Sequence, residues 1–354
     1  MRIAIVALIR NPIAEPFAGG MESYTWWLAK RLIDRGHQVT LLASGDSDAR
    51  LGLVPICERS LSNCSTNSFA DEQLYSMSAY ASAVDYICAE RFDVVHNNAL
   101  HLLPLLSIAD IPVSMVMTVH APLYDELAAA LQYVSARAID NRLMVTAVFH
   151  SIAREWNSVI KTTVVHNGID VDSWPCGEDP TPNLAVCYGR LVLEKGIHLA
   201  IRAALRAGYQ VQVAGPVSDQ DYFREQLLPL FAHKDVDYLG HLSHKEIKDW
   251  LPNASVFVNA PTWEEPYGMV YAEALASGTP IAAFNRGAVA EIVDETSGVL
   301  AAEDSVEALA GATQSARELS RLACRRRAET FCHLDVMVAK YEQLYRCLIK
   351  QQQT

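Results

Sequence analysis

The chain has 354 residues, about half of them apolar, and carries 41 acidic against 29 basic groups for a formal net charge of −12 at pH 7. That length calls for about two domains, because single cores rarely grow past roughly 250 to 300 residues. The acidic balance argues against a general binder of nucleic acid or of anionic membranes, so any phosphate has to be met by a local site.

In chain order, the opening stretch MRIAIVALIRNP is apolar but too short to span a bilayer, and it lacks a signal-peptide cleavage pattern; a cytoplasmic chain is expected. RIAIVAL, QVTLLAS, DVVH, VSMVMTVH, LMVTAVF and TTVVHNG read as strands. Their apolar runs are continuous, as in strands buried on both faces of a parallel sheet, and helix-like segments between them imply βαβ crossovers. FAGGMESYTWWLAKRL places Gly19 and Gly20 between the first strand and a helix, where tandem glycines suit either an ordinary turn or close approach of backbone amides to an anion. His96, His101, His120 and His150 show no metal-ligand spacing, and no protein-bound metal is expected. A histidine at a strand end, such as His120, serves as a hydrogen-bonded structural residue or as a ligand contact.

A polar, Pro-bearing stretch at 168–183 reads as a linker that would let two domains close, and the α/β pattern restarts after it with LAVCYGR, YQVQVAG, VDYLG, ASVFVNA and PIAAF. The expected boundaries are an N-terminal domain over 1–167, the linker, a C-terminal domain over 184–333 and a last helix over 334–354 that packs back across the domains. Two successive doubly wound α/β domains, each with its functional crevice at the carboxyl ends of its strands, are the economical interpretation. The eight cysteines show no CxxC pair and read as buried thiols. The run Arg325, Arg326, Arg327 reads as a solvated helix face.

YGRLVLEKG puts Arg190 and Lys195 just beyond a strand, where two cations suit a diphosphate or, alternatively, a surface ion pair with Glu194. WEEPYGMVYAEALASGTP holds Glu265 and Glu273 eight positions apart. Pro266 is a strong first-turn residue and predicts a helix starting just after Glu265, with the amides of Gly268, Met269 and Val270 in or near its first turn. Eight residues of helix span about 12 Å, the scale of a nucleotide sugar. One carboxylate then suits sugar hydroxyls, and Glu273 suits a ribose diol.

Together these segments resemble the retaining glycosyltransferases of family 4, of GT-B fold. The carriers are GGMESYTWWLAKRLIDRGHQV, TVH at 118–120, VHNGID at 165–170, GRLVLEKG at 189–196, YLGHLSHKEI and EEPYGMVYAEALASGTPIA, in the family's order and over nearly the whole chain. The resemblance implies two Rossmann-like domains facing across a cleft, the first on the acceptor side and the second on the nucleotide-sugar side. It implies that Arg190 and Lys195 neutralise a donor diphosphate with the amides near Gly268, Met269 and Val270 and the Gly19, Gly20 loop. Glu265 and His120 would contact the reacting sugar, Glu273 the ribose, and the backbone around Leu242 the base. Transfer with retention by a front-face route, without a metal or other cofactor, is implied. A UDP-sugar is favoured as donor, with GDP-, ADP- and TDP-sugars as alternatives, and the acceptor is a small molecule or glycan read by segments 10–18, 59–74 and 121–127. The segment 58–73 shows no basic amphipathic face, which weakens a membrane-bound acceptor. The competing readings are a nucleotide-sugar epimerase or hydrolase on the same architecture and a catalytically silent nucleotide-sugar binding partner.

Overall fold

In the computed structural model of the chain, residues 1–66, 68–137, 140–265 and 268–352 are described. They form two compact units, Met1–Asn167 with Leu334–Thr354, and Gly168–His333. Each unit is a doubly wound α/β layer structure of the kind expected.

The first unit is built on β1 (Arg2–Val6), β2 (Gln38–Ser44), β3 (Leu53–Cys57), β4 (Val94–Asn97), β5 (Met115–Val119), β6 (Leu143–Ala147) and β7 (Thr162–Val164). All pairs are parallel, in the order β3-β2-β1-β4-β5-β6-β7. β4 and β5 are buried at every position because helices cover both faces, so neither alternates apolar with exposed polar residues; their polar members His96, Asn97 and Thr118 are buried along with the rest. β3 was not among the expected strands; it lies at the sheet edge, where Pro55 costs no ladder bond. The strand order reverses between β1 and β4, and the glycine pair heads the helix Gly20–Asp34 that follows β1.

The last helix, Leu334–Gln352, belongs to this first unit. Met337, Val338, Tyr341, Tyr345 and Leu348 enter the same core as Ile3, Ile5, Leu28 and Leu32. Arg35 bonds Glu342 at 2.9 Å and Arg31 pairs with Asp335 at 3.2 Å, which fixes the helix against Gly20–Asp34.

The second unit is built on β8 (Leu184–Tyr188), β9 (Gln210–Ala214), β10 (Val236–Tyr238), β11 (Val256–Asn259), β12 (Ile281–Ala283) and β13 (Gly298–Leu300), again all parallel, in the order β10-β9-β8-β11-β12-β13. β13, three residues long, was not among the expected strands. The stretch 168–183, expected as a linker, is packed onto this unit: Val171 and Trp174 are buried, and the Gly177 and Thr181 amides donate to Ser277 at 3.1 Å and Asn253 at 2.8 Å.

Two expectations are corrected. Arg325 and Arg327 do not form a solvated face; Arg325 donates to the carbonyls of Trp174 and Ala276, and Arg327 to those of Glu291 and Ile292. Their guanidiniums satisfy carbonyls at the ends of neighbouring segments, which a charge run in sequence does not announce. Of the cysteines, Cys187, Cys324 and Cys332 are buried, whereas Cys88, Cys176 and Cys347 are exposed and Cys57 and Cys64 partly so; all are free thiols. Among the described residues no helix is long and apolar enough to cross a membrane.

Candidate functional site

The strand order of the second unit reverses between β8 and β11, which leaves a crevice beyond their carboxyl ends, where ligands bind in open α/β sheets. Arg190 follows β8 by one glycine, and Lys195 ends a single tight turn, Leu193–Lys195. This loop is laced to the one after β11. The Thr262 amide donates to the Glu194 carbonyl at 2.8 Å, and Gly196, at φ 59°, leaves no room for a Cβ because one would lie 1.8 Å from the Ala260 carbonyl oxygen.

That lacing brings Lys195 Nζ onto Glu265 Oε2, which also accepts from Trp263 Nε1 at 3.1 Å, while the ammonium lies 5.2 Å from the Trp263 ring centre. Glu265 is only 9% exposed, so its charge is held by a cation and an indole N–H. Lys195 and Glu265, assigned separately to phosphate and sugar by the sequence, are therefore direct partners. Arg190 is exposed and pairs with Glu194 at 3.4 Å, the alternative left open by the sequence.

The neighbouring acid has a different task. Glu264 accepts from the Gly287 amide at 2.7 Å and lies 3.7 Å from Arg286, which ties down the loop after β12. Gly287, at φ 64°, passes so close to Glu265 that a Cβ would lie 2.4 Å from its backbone nitrogen. The Ala288 amide donates to the Glu265 carbonyl at 3.1 Å. Glu265 thus has its backbone clamped from outside and its side chain from within.

The helix expected to start just after Glu265 instead runs Met269–Ala276, with Gly268 as N-cap in the left-handed region at φ 71°. Pro266, the expected start signal, lies outside the described residues. Glu273 consequently falls in the second turn of an eight-residue helix, and the 12 Å helical span between the two carboxylates does not apply. The amides of Met269 and Val270 open this helix, where no intrahelical acceptor exists. Burial pushes the Glu273 carboxyl above its ordinary pKa, and a hydrogen bond from Tyr188 works against that rise. Leu242 is partly exposed, in the loop between β10 and the helix His244–Trp250, whose start is fixed by a Ser243–Glu246 capping box.

In the first unit, His120 stands one residue beyond β5 with its Nε2 3.3 Å from Asn98 Oδ1 and its ring edge-on to Tyr24 at 4.6 Å. Asn98 Nδ2 faces Thr25 Oγ1 at 3.4 Å, so Oδ1 is the face that accepts from Nε2–H, which leaves His120 Nδ1 as an acceptor. Burial lowers its pKa to about 3, so the ring is neutral at pH 7 and offers hydrogen bonding without charge. Gly19 and Gly20 are exposed at the start of Gly20–Asp34. Gly19 is extended at φ −165°, a conformation open to any residue, and a Cβ on Gly20 would meet nothing within 4 Å. His96 is a buried structural residue between Tyr345 and Thr118, and His101 stacks on Tyr80 and accepts from the Leu103 amide.

Tyr188, Trp263 and Gly287 were not singled out in the sequence. The signal for Tyr188 is its place as the last strand residue before Gly189 and Arg190; for Trp263, its adjacency to the glutamates. Gly287 carries no local signal, because the contact that demands it is tertiary.

Residues 18–173 match the family described as Glycosyltransferase Family 4, and residues 169–330 match Glycosyl transferases group 1. A glycogen synthase of Mycobacterium tuberculosis is 35% identical over 173 residues, covering 46% of this chain and 42% of that protein, so the chain matches less than half of that relative's length. An uncharacterized glycosyltransferase of Methanocaldococcus jannaschii is 24% identical over 328 residues, covering 83% of each. The structure of Anabaena HepE in complex with UDP and glucose superposes with a TM-score of 0.70 at 19% identity, covering 98% of this chain and 100% of that one, which is a likeness of fold. With consecutive family matches joined end to end, two parallel-sheet Rossmann-like units and this likeness, the chain belongs to the GT-B glycosyltransferases of the family 4 type.

Proposed function

We propose that the chain transfers a hexose-type sugar from a nucleoside-diphosphate sugar, with UDP as the favoured nucleotide, to a hydroxyl acceptor, with retention of configuration and without a metal ion. The observation that carries this reading is the cluster at the β8/β11 reversal: Lys195 on Glu265, an exposed Arg190, and the open helix start at Gly268, Met269 and Val270. The likeness to a protein whose structure holds UDP and glucose favours uridine.

In this reading the diphosphate takes Arg190 and Lys195 as counter-cations, with the first-turn amides as donors. The free protein keeps Lys195 occupied by Glu265, so a bound diphosphate shares the ammonium and leaves Glu265 facing the sugar. As the bond from the anomeric carbon to the phosphate oxygen breaks, positive charge grows on the sugar and negative charge on the leaving oxygen. Glu265 stabilises the first and the two cations the second. The acceptor hydroxyl attacks from the same face and passes its proton to the leaving oxygen, so no separate base is needed. Glu273 accepts the ribose hydroxyls and the backbone near Leu242 meets the base. In the first unit, Gly19 and Gly20 offer amides to an anion, and neutral His120 offers a hydrogen-bonding ring nitrogen to a sugar hydroxyl.

Gly20 supports the ligand reading of its loop, because a Cβ there would meet nothing within 4 Å, whereas at Gly19 a Cβ would lie 2.9 Å from the buried Glu22 carboxylate, so packing of the free protein already favours glycine at that position. Titration calorimetry with UDP, GDP, ADP and TDP and their sugars, with and without EDTA, tests the proposal. Binding of one nucleotide class that EDTA leaves unchanged supports it. Binding of none sinks it, and binding that EDTA abolishes removes the metal-independent mechanism.

A further inference from the structure

Tyr188 ends β8 with its ring wedged beside Phe257, at 5.2 Å between ring centres, and Trp250, at 6.0 Å. Its hydroxyl lies 2.7 Å from Glu273 Oε2 and 3.1 Å from the Val270 carbonyl oxygen. A phenol has one proton, and an ionised carboxylate is the stronger acceptor of the two. The groups facing Glu273 among the described residues are Tyr188 from β8 and Lys248 from the helix His244–Trp250, and both favour its ionised form against burial. The Lys248 ammonium is itself 2.8 Å from Ser173 Oγ. The direct hydrogen bond to Glu273 thus comes from a residue whose ring cannot swing away without disturbing the β8/β11 core.

We infer that Tyr188 is a positioning residue that holds one oxygen of Glu273 and so presents the other to the vicinal hydroxyls of a nucleotide ribose, making selectivity for ribose over 2′-deoxyribose a joint property of the pair. The inference rests on the reading of Glu273 as the ribose acceptor. It adds that a fixed carboxylate discriminates where a loose one does not. A carboxylate anchored by one oxygen loses little freedom when the diol arrives, whereas an unanchored one has to be ordered by the ligand itself.

The test measures Kd by calorimetry for TDP and for UDP, GDP and ADP, each of these three paired with its 2′-deoxy form, on wild type, Y188F, E273Q and the double variant. For the nucleotide that binds, wild type should prefer the ribo form by about tenfold. Y188F should lose most of that ratio, chiefly by weakening the ribo form, and the double variant should match E273Q. In Y188F the ratio that survives should also fade at a higher pH than in wild type on acidification, because the ionised carboxylate has lost its donor. A ratio and pH profile in Y188F equal to wild type overturn the inference while leaving the nucleotide reading intact. Wild type that binds nucleotide without ribose preference, or that prefers TDP, which has no 2′-hydroxyl, overturns the role of Glu273 and this inference with it. Wild type that binds no nucleoside diphosphate overturns the whole reading. If Y188F does not fold, Y188L fills the same space without a donor, and an undiminished ratio there overturns the inference equally.

Discussion

The two units share one sheet architecture and treat the polar groups near their strand ends in opposite ways. In the first, polar side chains within the sheet turn inward: His96 lies 2.5 Å from Tyr345 and 2.9 Å from Thr118, and Thr118 is 2.9 Å from Thr146 and 3.1 Å from Tyr341. The returning helix Leu334–Gln352 supplies both tyrosines, so the network is closed by the chain itself. In the second unit, beyond β8 and β11, Arg190 is exposed, and among the described residues the side chains of Lys195 and Glu265 are held by each other and Trp263. A satisfied buried network rigidifies; charged groups with capacity left over receive ligands. On the proposed function the first set serves stability and the second serves chemistry, and substitutions in each should separate the two.

The largest effect is expected at Glu265. E265Q keeps the shape and a polar contact but removes the charge that the proposal turns toward the sugar, and kcat should fall by about 100- to 1,000-fold while the Kd for nucleoside diphosphate changes little. An E265Q enzyme within threefold of wild-type kcat would break the assignment. At Lys195 the expectation is double. K195A should weaken nucleotide binding by about 10- to 100-fold, the equivalent of one charge-assisted hydrogen bond or two. It should also destabilise the protein, because it strands a carboxylate that is 9% exposed. Urea unfolding of K195A and K195A/E265Q separates the two effects: the double variant should regain stability without regaining nucleotide affinity.

The first set should respond the other way. Y345F leaves His96 Nδ1 buried without its hydroxyl partner, at a cost of about 1–3 kcal/mol in urea unfolding, with nucleotide Kd unchanged. Glu342 extends the same logic to pH. Hydrogen bonds from Arg35 and, less strongly, His37 hold its carboxyl at about 2, against an ordinary 4.5. Because the folded value is the lower one, the stabilisation is whole above about pH 4.5 and is lost as pH falls toward 2. Unfolding free energy followed against pH should show wild type and E342Q differing at neutral pH and converging toward pH 2. A constant difference would mean that Glu342 acts by packing and not by charge.

Much of this division was legible in the sequence, and the exceptions have a common cause. Strands buried on both faces announce themselves as apolar runs, and the loops that carry Arg190, Lys195 and Glu265 follow such runs directly. What the sequence does not contain is partnership. Nothing local indicates that Lys195 meets Glu265 seventy positions on, that Tyr188 meets Glu273, or that Arg325 and Arg327 turn to backbone carbonyls. The helix start was misplaced because a left-handed Gly268 begins a shorter helix at Met269, and a glycine there reads equally well as helix interior. The stretch 168–183 has a linker's composition, but Trp174 and Val171 bury it.

The smallest effect on stability, and the sharpest test of what a glycine is for, is expected at Gly20. Its added Cβ would meet nothing within 4 Å, and glycine in a helix costs more backbone entropy than alanine. G20A should therefore leave thermal stability unchanged or raise it, by at most about 1 kcal/mol. If the loop serves only as a turn, nucleotide and donor-sugar affinity should stay at the wild-type value as well. If the glycines keep the helix start clear for a phosphate, the methyl group obstructs that approach, and donor affinity should fall by several-fold in a protein that is no less stable. Stability and binding moving in opposite directions at one exposed position would support the ligand role proposed for Gly20; both unchanged would return the pair to an ordinary turn.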